Sequence, residues 1–355
     1  MTPIRIIVCG YGNVGRAFVN LVATKQADLA TRYGLAPKIV AVVDIGGAAV
    51  DATDGLPLDQ LQAAVENGQA IETVADFGRP GLSGKDVLQS MQADVLVEAT
   101  PTNLTDGEPA RTHITAALTN GMDVITANKG PVVLFYDELR TLAQSKGGRL
   151  FMSAATAAAL PTLDVGRLCT AGAQITAVEG ILNGTTNYIL TRMGQEGCDY
   201  ATALQAAQDL GIAETDPTLD VEGLDTRNKI ILIANQLFDQ SLGLADVDTT
   251  GITGVSPEDM DRAKADGKVM KLIGSARWQD GKLVVKVAPE ALEASHPLAG
   301  VHLSEKGISF DTDSMGRITV TGGHSSPTGA AAALLKDLIH TQIFSSFSKT
   351  RKNKK

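Results

Sequence analysis

Ile4-Arg5-Ile6-Ile7-Val8-Cys9-Gly10-Tyr11-Gly12-Asn13-Val14-Gly15 decides the fold. A short, largely apolar run reads as a strand buried on both faces of a parallel sheet. It enters a GxGxxG turn at Gly10, Gly12 and Gly15, and Arg16 to Thr24 continues with apolar residues at helical spacing. The glycines permit a tight turn and close approach of a pyrophosphate, and the start of the helix favours its negative charge. A lone GxGxxG is a weak signal. The strand before it and the helix after it are the context that points to a dinucleotide.

The same alternation continues outward. Ile39 to Val43 reads as the next strand and ends at Asp44, where a carboxylate meets the ribose 2′-hydroxyl of NAD. Asp44-Ile45-Gly46-Gly47 has no Arg or Lys for a 2′-phosphate, which favours NAD over NADP. The plainer role of Asp44 is to cap a turn. Its distance from Gly10 exceeds the usual ~20 residues, so the helix between them, or its loop, is extended. Asp94 to Glu98 is a further strand, followed by Ala99-Thr100-Pro101-Thr102-Asn103. Arg111 to Asn120 reads as a helix ended by Gly121. Asp123 to Thr126 leads into Ala127-Asn128-Lys129-Gly130. Strands alternating with helices predict a Rossmann-type, doubly wound α/β domain over 1–150. Lys129 lies at the carboxyl end of a strand, where such sheets bind ligands. On its own it reads as a solvated lysine.

Beyond 150 the texture changes. Ile175 to Leu182 has strand character and ends at Asn183-Gly184-Thr185-Thr186-Asn187; Tyr188 to Met193 continues as a helix. Thr226 to Leu237 is an amphipathic helix, and Lys282–Pro289, Ile308–Thr312 and Arg317–Thr321 read as strands. This predicts an α+β substrate and dimerisation domain over 151–325. A C-terminal helix over 326–345 returns to the first domain, and 346–355 is a basic flexible tail.

Composition narrows the function. With 355 residues, 44% hydrophobic and 20% charged, the chain suits two folded domains. Its net charge of −9 lacks the footprint of a nucleic-acid binder. The basic run at Lys349–Lys355 reads as a solvated tail. No apolar stretch is long enough to span a bilayer, and the first strand is no signal peptide. Cys9, Cys169 and Cys198 are scattered without CxxC spacing, and the five histidines lie far apart. That predicts a reducing cytoplasm and no zinc site.

The chemistry concentrates in an acidic stretch: Glu214, Asp216, Asp220, Glu222 and Asp225, then Lys229. A dehydrogenase needs a proton donor beside the carbonyl it reduces. Asp225 and Lys229 are four apart on one helical face, which by spacing alone describes an ordinary surface ion pair. The amides of the Asn183–Asn187 turn suit a carboxylate, although N-capping explains those residues equally well.

GYGNVG at 10–15, EAT at 98–100, ANKG at 127–130, EGILNGTTNYIL at 179–190 and GIAETDPTLDVEGLDTRNK at 211–229 occur in one order. That set resembles the homoserine dehydrogenase family over residues 4 to 340. The family interconverts L-aspartate 4-semialdehyde and L-homoserine with NAD or NADP, in the branch to threonine and methionine. The resemblance implies that Lys229 is the acid/base lysine, Asp225 the catalytic aspartate and Lys129 a lysine between cofactor and substrate. It assigns Glu214, Asp220, Gly184 and Thr185 to the substrate. It assigns Gly10, Tyr11, Gly12, Asn13, Val14, Gly15 and Thr100 to the cofactor. It also implies a cytoplasmic homodimer acting on a small molecule. The chain stops too soon for the regulatory ACT domain of some members, so threonine feedback through one is not expected.

Three positions depart from the family. Ser153 stands where many members carry a glutamate of a sodium-like cation site, which leaves only the carbonyls of Thr156, Ala158 and Leu160. That weakens the cation site, and no metal is assigned to it. Ile212 replaces a tyrosine. The end loop reads Gly322-Gly323-His324-Ser325-Ser326, where His324 caps the loop or touches a phosphate. These departures keep a second reading open, a related dehydrogenase on another small hydroxy or aldehyde substrate. A third, a nucleotide sensor without catalysis, does not explain an acid/base pair.

Overall fold

The computed structural model describes residues 2–323 and 325–352. The chain forms two units. One runs to Ala155 and resumes at Ser326; the other is Thr156–Ser325.

The first unit is built on β1 (Thr2–Cys9), β2 (Leu35–Asp44), β3 (Gly47–Val50), β4 (Gly78–Pro80), β5 (Val95–Glu98), β6 (Asp123–Thr126) and β7 (Leu150–Phe151). Their order is β4-β3-β2-β1-β5-β6-β7. The run β2-β1-β5-β6-β7 is parallel, and β3 and β4 extend it as antiparallel edge strands. Ile6, Ile7, Val8 and Cys9 are fully buried, as a strand covered on both faces requires. Strand order reverses between β2-β1 and β1-β5, which opens a crevice at the carboxyl ends of β1 and β5. Two helices, Asn13–Thr24 and Gln26–Tyr33, separate β1 from β2 and account for the long spacing to Asp44. The closing helix, Pro327–Lys352, sends Ala331, Leu334, Leu335 and Leu338 into this unit's core beside Ile4, Ile6 and Phe18. It continues past 345, through most of the stretch expected to be a tail. His324 lies outside the described residues.

The second unit contains β8 (Ile175–Ile181), β9 (Asp248–Thr249), β10 (Lys268–Gln279), β11 (Lys282–Glu293), β12 (Lys306–Thr312) and β13 (Gly316–Gly322). Their order is β13-β12-β8-β10-β11-β9, antiparallel apart from β9 beside β11. Gly274, Gly180 and Ile308 stand in cross-strand register and so share one face. That face carries the helix Leu224–Leu237: a Cβ on Gly274 would lie 2.9 Å from Thr226 Cγ2. The opposite face packs Ile181 and Ile273 against Leu298 and Val301.

The sequence reading missed β10. Lys271 is fully buried in it and donates to Asn187 Oδ1 at 2.9 Å and to Val301 O at 2.5 Å. A lysine on an inward position breaks the apolar alternation that marks a strand. The helix read as Tyr188–Met193 runs Gly184–Glu196, because Asn183 caps it directly at the strand end.

Candidate active site

In the first unit the GxGxxG turn lies at the reversal of strand order. Gly10 has φ +93°, and a Cβ on Gly15 would lie 2.0 Å from Gly10 O, so neither position admits a side chain. Gly12 begins the helix Asn13–Thr24 without a side-chain cap, and Gly12 and Asn13 are exposed. The first amides of that helix are thus open to an anion. Val14 is half-buried against the core.

Tyr11 was expected at the cofactor, and in the fold its side chain turns inward. Its side chain is buried in the hydrophobic core, and burial pushes its phenol up to about 12, with Arg16 pulling it back. Asp44 is exposed at the end of β2, next to the Gly10 N–H bonded to Val43 O at 2.9 Å.

Thr100 is fixed from both sides. Buried Glu98 accepts from its amide at 2.8 Å and from its hydroxyl. Asn128 Nδ2 donates to Thr100 O, Thr100 Oγ1 and Pro101 O at 3.0, 3.1 and 3.0 Å. Glu98 also meets His113 Nδ1 at 2.8 Å. Asn128 caps the helix Lys129–Leu134 through Gly130 N, so Lys129 is its half-buried first residue. The fold brings Cys9, Glu98 and His113 together as possible metal ligands, which sequence spacing did not show. Burial raises the Cys9 thiol well above its ordinary range, with Glu98 adding to the shift. A buried neutral thiol beside an occupied carboxylate is core packing, not a metal seat.

In the second unit the strand end of β8 meets the helix Leu224–Leu237. Lys229 Nζ donates to Asp225 Oδ2 at 2.5 Å and to Leu182 O at 2.9 Å. Both side chains are about one-seventh exposed, 14% and 15%, unlike the surface pair that spacing alone suggested. Asn183 completes the cluster: its Nδ2 donates to Asp220 Oδ1 at 2.6 Å and Asp225 Oδ2 at 2.9 Å. Its Oδ1 accepts from Thr186 N at 3.0 Å, the N-cap of Gly184–Glu196. Asn183 was read only as part of a turn. Its side chain joins two carboxylates that lie far along the chain, which sequence does not reveal.

Gly184 sits where a Cβ would lie 2.7 Å from Ser304 O, and Thr185 Oγ1 donates to Ile212 O at 3.1 Å. Glu214 is exposed, and its carbonyl accepts from Gln208 Nε2. No hydrogen bond joins the Glu214 side chain to the Asn183 cluster among the described residues.

Lys306 also escaped the sequence reading. It is 1% exposed on β12, two residues from Ile308 and therefore on the face covered by the Lys229 helix. Its Nζ donates to Ala157 O at 2.8 Å. The signal was present as Lys306-x-Ile308-x-Phe310, an alternation that puts a lysine on an apolar face.

The donors do not fit the cation of the family. Ser153 is buried, donates to both Asp337 carboxylate oxygens (3.1 Å from its N, 2.7 Å from its Oγ), and accepts from Lys336 Nζ at 2.9 Å. In the other unit the Ala157 carbonyl already holds the Lys306 ammonium. On that carbonyl the Lys306 ammonium already supplies the positive charge that a metal would bring.

The sequence model for "Homoserine dehydrogenase" matches residues 161–339, and that for "Homoserine dehydrogenase, NAD binding domain" matches 10–153. The chain is 40% identical to the homoserine dehydrogenase of Methanocaldococcus jannaschii, over 94% of this chain and 97% of that one. It is 37% identical to an NAD(+)-dependent homoserine dehydrogenase of Pseudomonas canavaninivorans, over 96% of each. A solved putative homoserine dehydrogenase of Archaeoglobus fulgidus superposes with TM-score 0.83 at 32% identity, covering 96% of this chain and 99% of that one.

Proposed function

The chain belongs to the homoserine dehydrogenase family, and from that premise we propose which of its residues carry the reaction. It is an NAD(P)-dependent oxidoreductase that interconverts L-homoserine and L-aspartate 4-semialdehyde. A bound nicotinamide would supply the hydride chemistry at the carbinol carbon. Lys229 Nζ takes up the hydroxyl proton, and in the reverse direction returns it. Asp225 and the Leu182 carbonyl hold Nζ in place, and Asn183 holds Asp225. This anchored lysine is the observation that carries the assignment. A base held by several fixed partners loses no orientation during the proton transfer.

Asp220 and Glu214 bind the substrate amino group. The amides of Gly184 and Thr185, at a helix start whose cap uses Thr186, take its carboxylate. Gly10 to Gly15 and Thr100 hold the cofactor, and Lys129 serves between cofactor and substrate. Exposed Asp44 makes NAD the preferred cofactor, as the name of the Pseudomonas relative states for that protein. The protein works as a homodimer in the cytoplasm. Exposed Trp278 and Val284 on β10 and β11, and three free cysteines, support that reading.

The test is nicotinamide absorbance with purified protein, L-homoserine, and NAD or NADP in turn. Reduction is expected with homoserine, faster with NAD. Folded protein without reduction by either cofactor overturns the assignment.

A further inference from the structure

The short helix Ser153–Ala157 ends in the turn 158–161, where the backbone is unusual. Ala158 stands at φ +54°, a left-handed conformation that an L side chain rarely adopts. Such a residue persists only where its surroundings over-determine it. Three contacts do so here. Thr156 Oγ1 meets Thr162 Oγ1 at 2.8 Å, and Gly323 packs so tightly that a Cβ on it would lie 2.8 Å from Leu160 N. The third is Lys306 Nζ on the Ala157 carbonyl. That carbonyl belongs to the peptide plane leading into Ala158, so a charged donor fixed to it sets the plane that the strained residue must follow.

The lysine is itself fixed from behind. It is 1% exposed on β12, and Ala157 O is its only hydrogen-bond acceptor among the described residues. Phe310 on the same strand face and Leu237 at the end of the Lys229 helix both touch the site of a Cβ on Gly166. Lys306 thus lies on the sheet face that carries the helix of the catalytic pair. Burial and the Lys229 charge lower its ionisation to about 8, while Asp225 opposes the shift.

We propose that Lys306 is an internal cation, a positioning residue whose ammonium holds the Ala157–Ala158 peptide, so that this enzyme needs no bound monovalent metal. The inference rests on the homoserine dehydrogenase reading for its activity assay. It accounts for Ser153, because a loop held by a lysine needs no carboxylate to charge-balance a metal.

The experiment compares wild-type protein with Lys306→Met in choline chloride, NaCl, KCl and methylammonium chloride at one ionic strength. Homoserine oxidation and the thermal midpoint are both recorded. Wild type is expected to keep its rate within about twofold in every salt, with an unchanged midpoint. Lys306→Met should lose at least about tenfold in choline, the scale of one charge-assisted hydrogen bond. Sodium, potassium or methylammonium should restore part of that rate and raise the variant's midpoint. A wild-type enzyme that sodium or potassium strongly activates overturns the proposal. So does a variant as active as wild type in choline, or a folded variant that no cation restores. The wild-type comparison decides even if the variant does not fold. Absence of oxidation by wild type would instead count against the functional reading, and the salt dependence of its midpoint would still test Lys306.

Discussion

Asn183 Nδ2 lies 2.6 Å from Asp220 Oδ1, although the two residues are 37 apart in the chain. The same amide reaches Asp225 and, through its oxygen, caps the following helix. One side chain therefore does two separable jobs. Asn183→Ser keeps a hydroxyl for the cap but cannot donate to both carboxylates. It is expected to leave the thermal midpoint nearly unchanged while kcat/KM falls about tenfold or more. Loss of stability without loss of kcat/KM would mean that Asn183 is only a cap.

Lys229→Ala removes the proposed acid/base. Turnover should fall by about 10²- to 10⁴-fold, with NADH binding by fluorescence retained. An unchanged kcat in folded protein would remove Lys229 from the mechanism.

Asp44→Ser should shift cofactor choice. Loss of a charged hydrogen bond to the ribose raises KM for NAD by about 10- to 100-fold and leaves NADP less affected. Equal changes for both cofactors would place Asp44 away from the ribose.

Glu98→Gln leaves one of the groups around that carboxylate without an acceptor, at a cost of about 1–3 kcal/mol. Because Glu98 fixes the Thr100 amide, the KM for NAD should rise more than kcat falls. Urea unfolding and steady-state kinetics on the same preparation separate the two effects.

Stability should depend on pH in a particular direction. Burial lowers Lys271 and Lys306 from 10.5 to about 8. Below pH 8 both states carry these protons and the full cost of burying charge is present. Between 8 and 10.5 the unfolded chain keeps protons that the native state has released, so stability rises with pH. The gain approaches about 3 kcal/mol per lysine. Cys9 and Tyr11 act oppositely, since burial raises both and the unfolded chain loses their protons first, near 9 and 10. The rise is therefore expected between pH 8 and 9 and should flatten above. Urea unfolding across that range checks it, and Lys271→Met should reduce the slope by about half. Stability that falls from pH 8 to 9 would contradict the buried lysines.

Local patterns were legible in the sequence. The turn at Gly10–Gly15 could be read because strand, glycine and helix signals are adjacent there. The Asp225–Lys229 pairing was visible as a four-residue spacing, but not its burial, which the packing of β8 and its following turn provides. Asn183, Lys271 and Lys306 escaped because their partners come from other segments. A polar residue on an inward register position acquires meaning only once the sheet order is known. Past 345 the basic composition gave no sign of the helix that runs on to Lys352.

The closing helix completes the core of the nucleotide unit with Leu334, Leu335 and Leu338, yet the whole Thr156–Ser325 unit lies between that helix and β1 in the chain. During synthesis the inner unit leaves the ribosome entire while the outer one still lacks a wall. The order of maturation is therefore inside out: the substrate half is able to fold first, and the nucleotide half stays open until its final helix emerges.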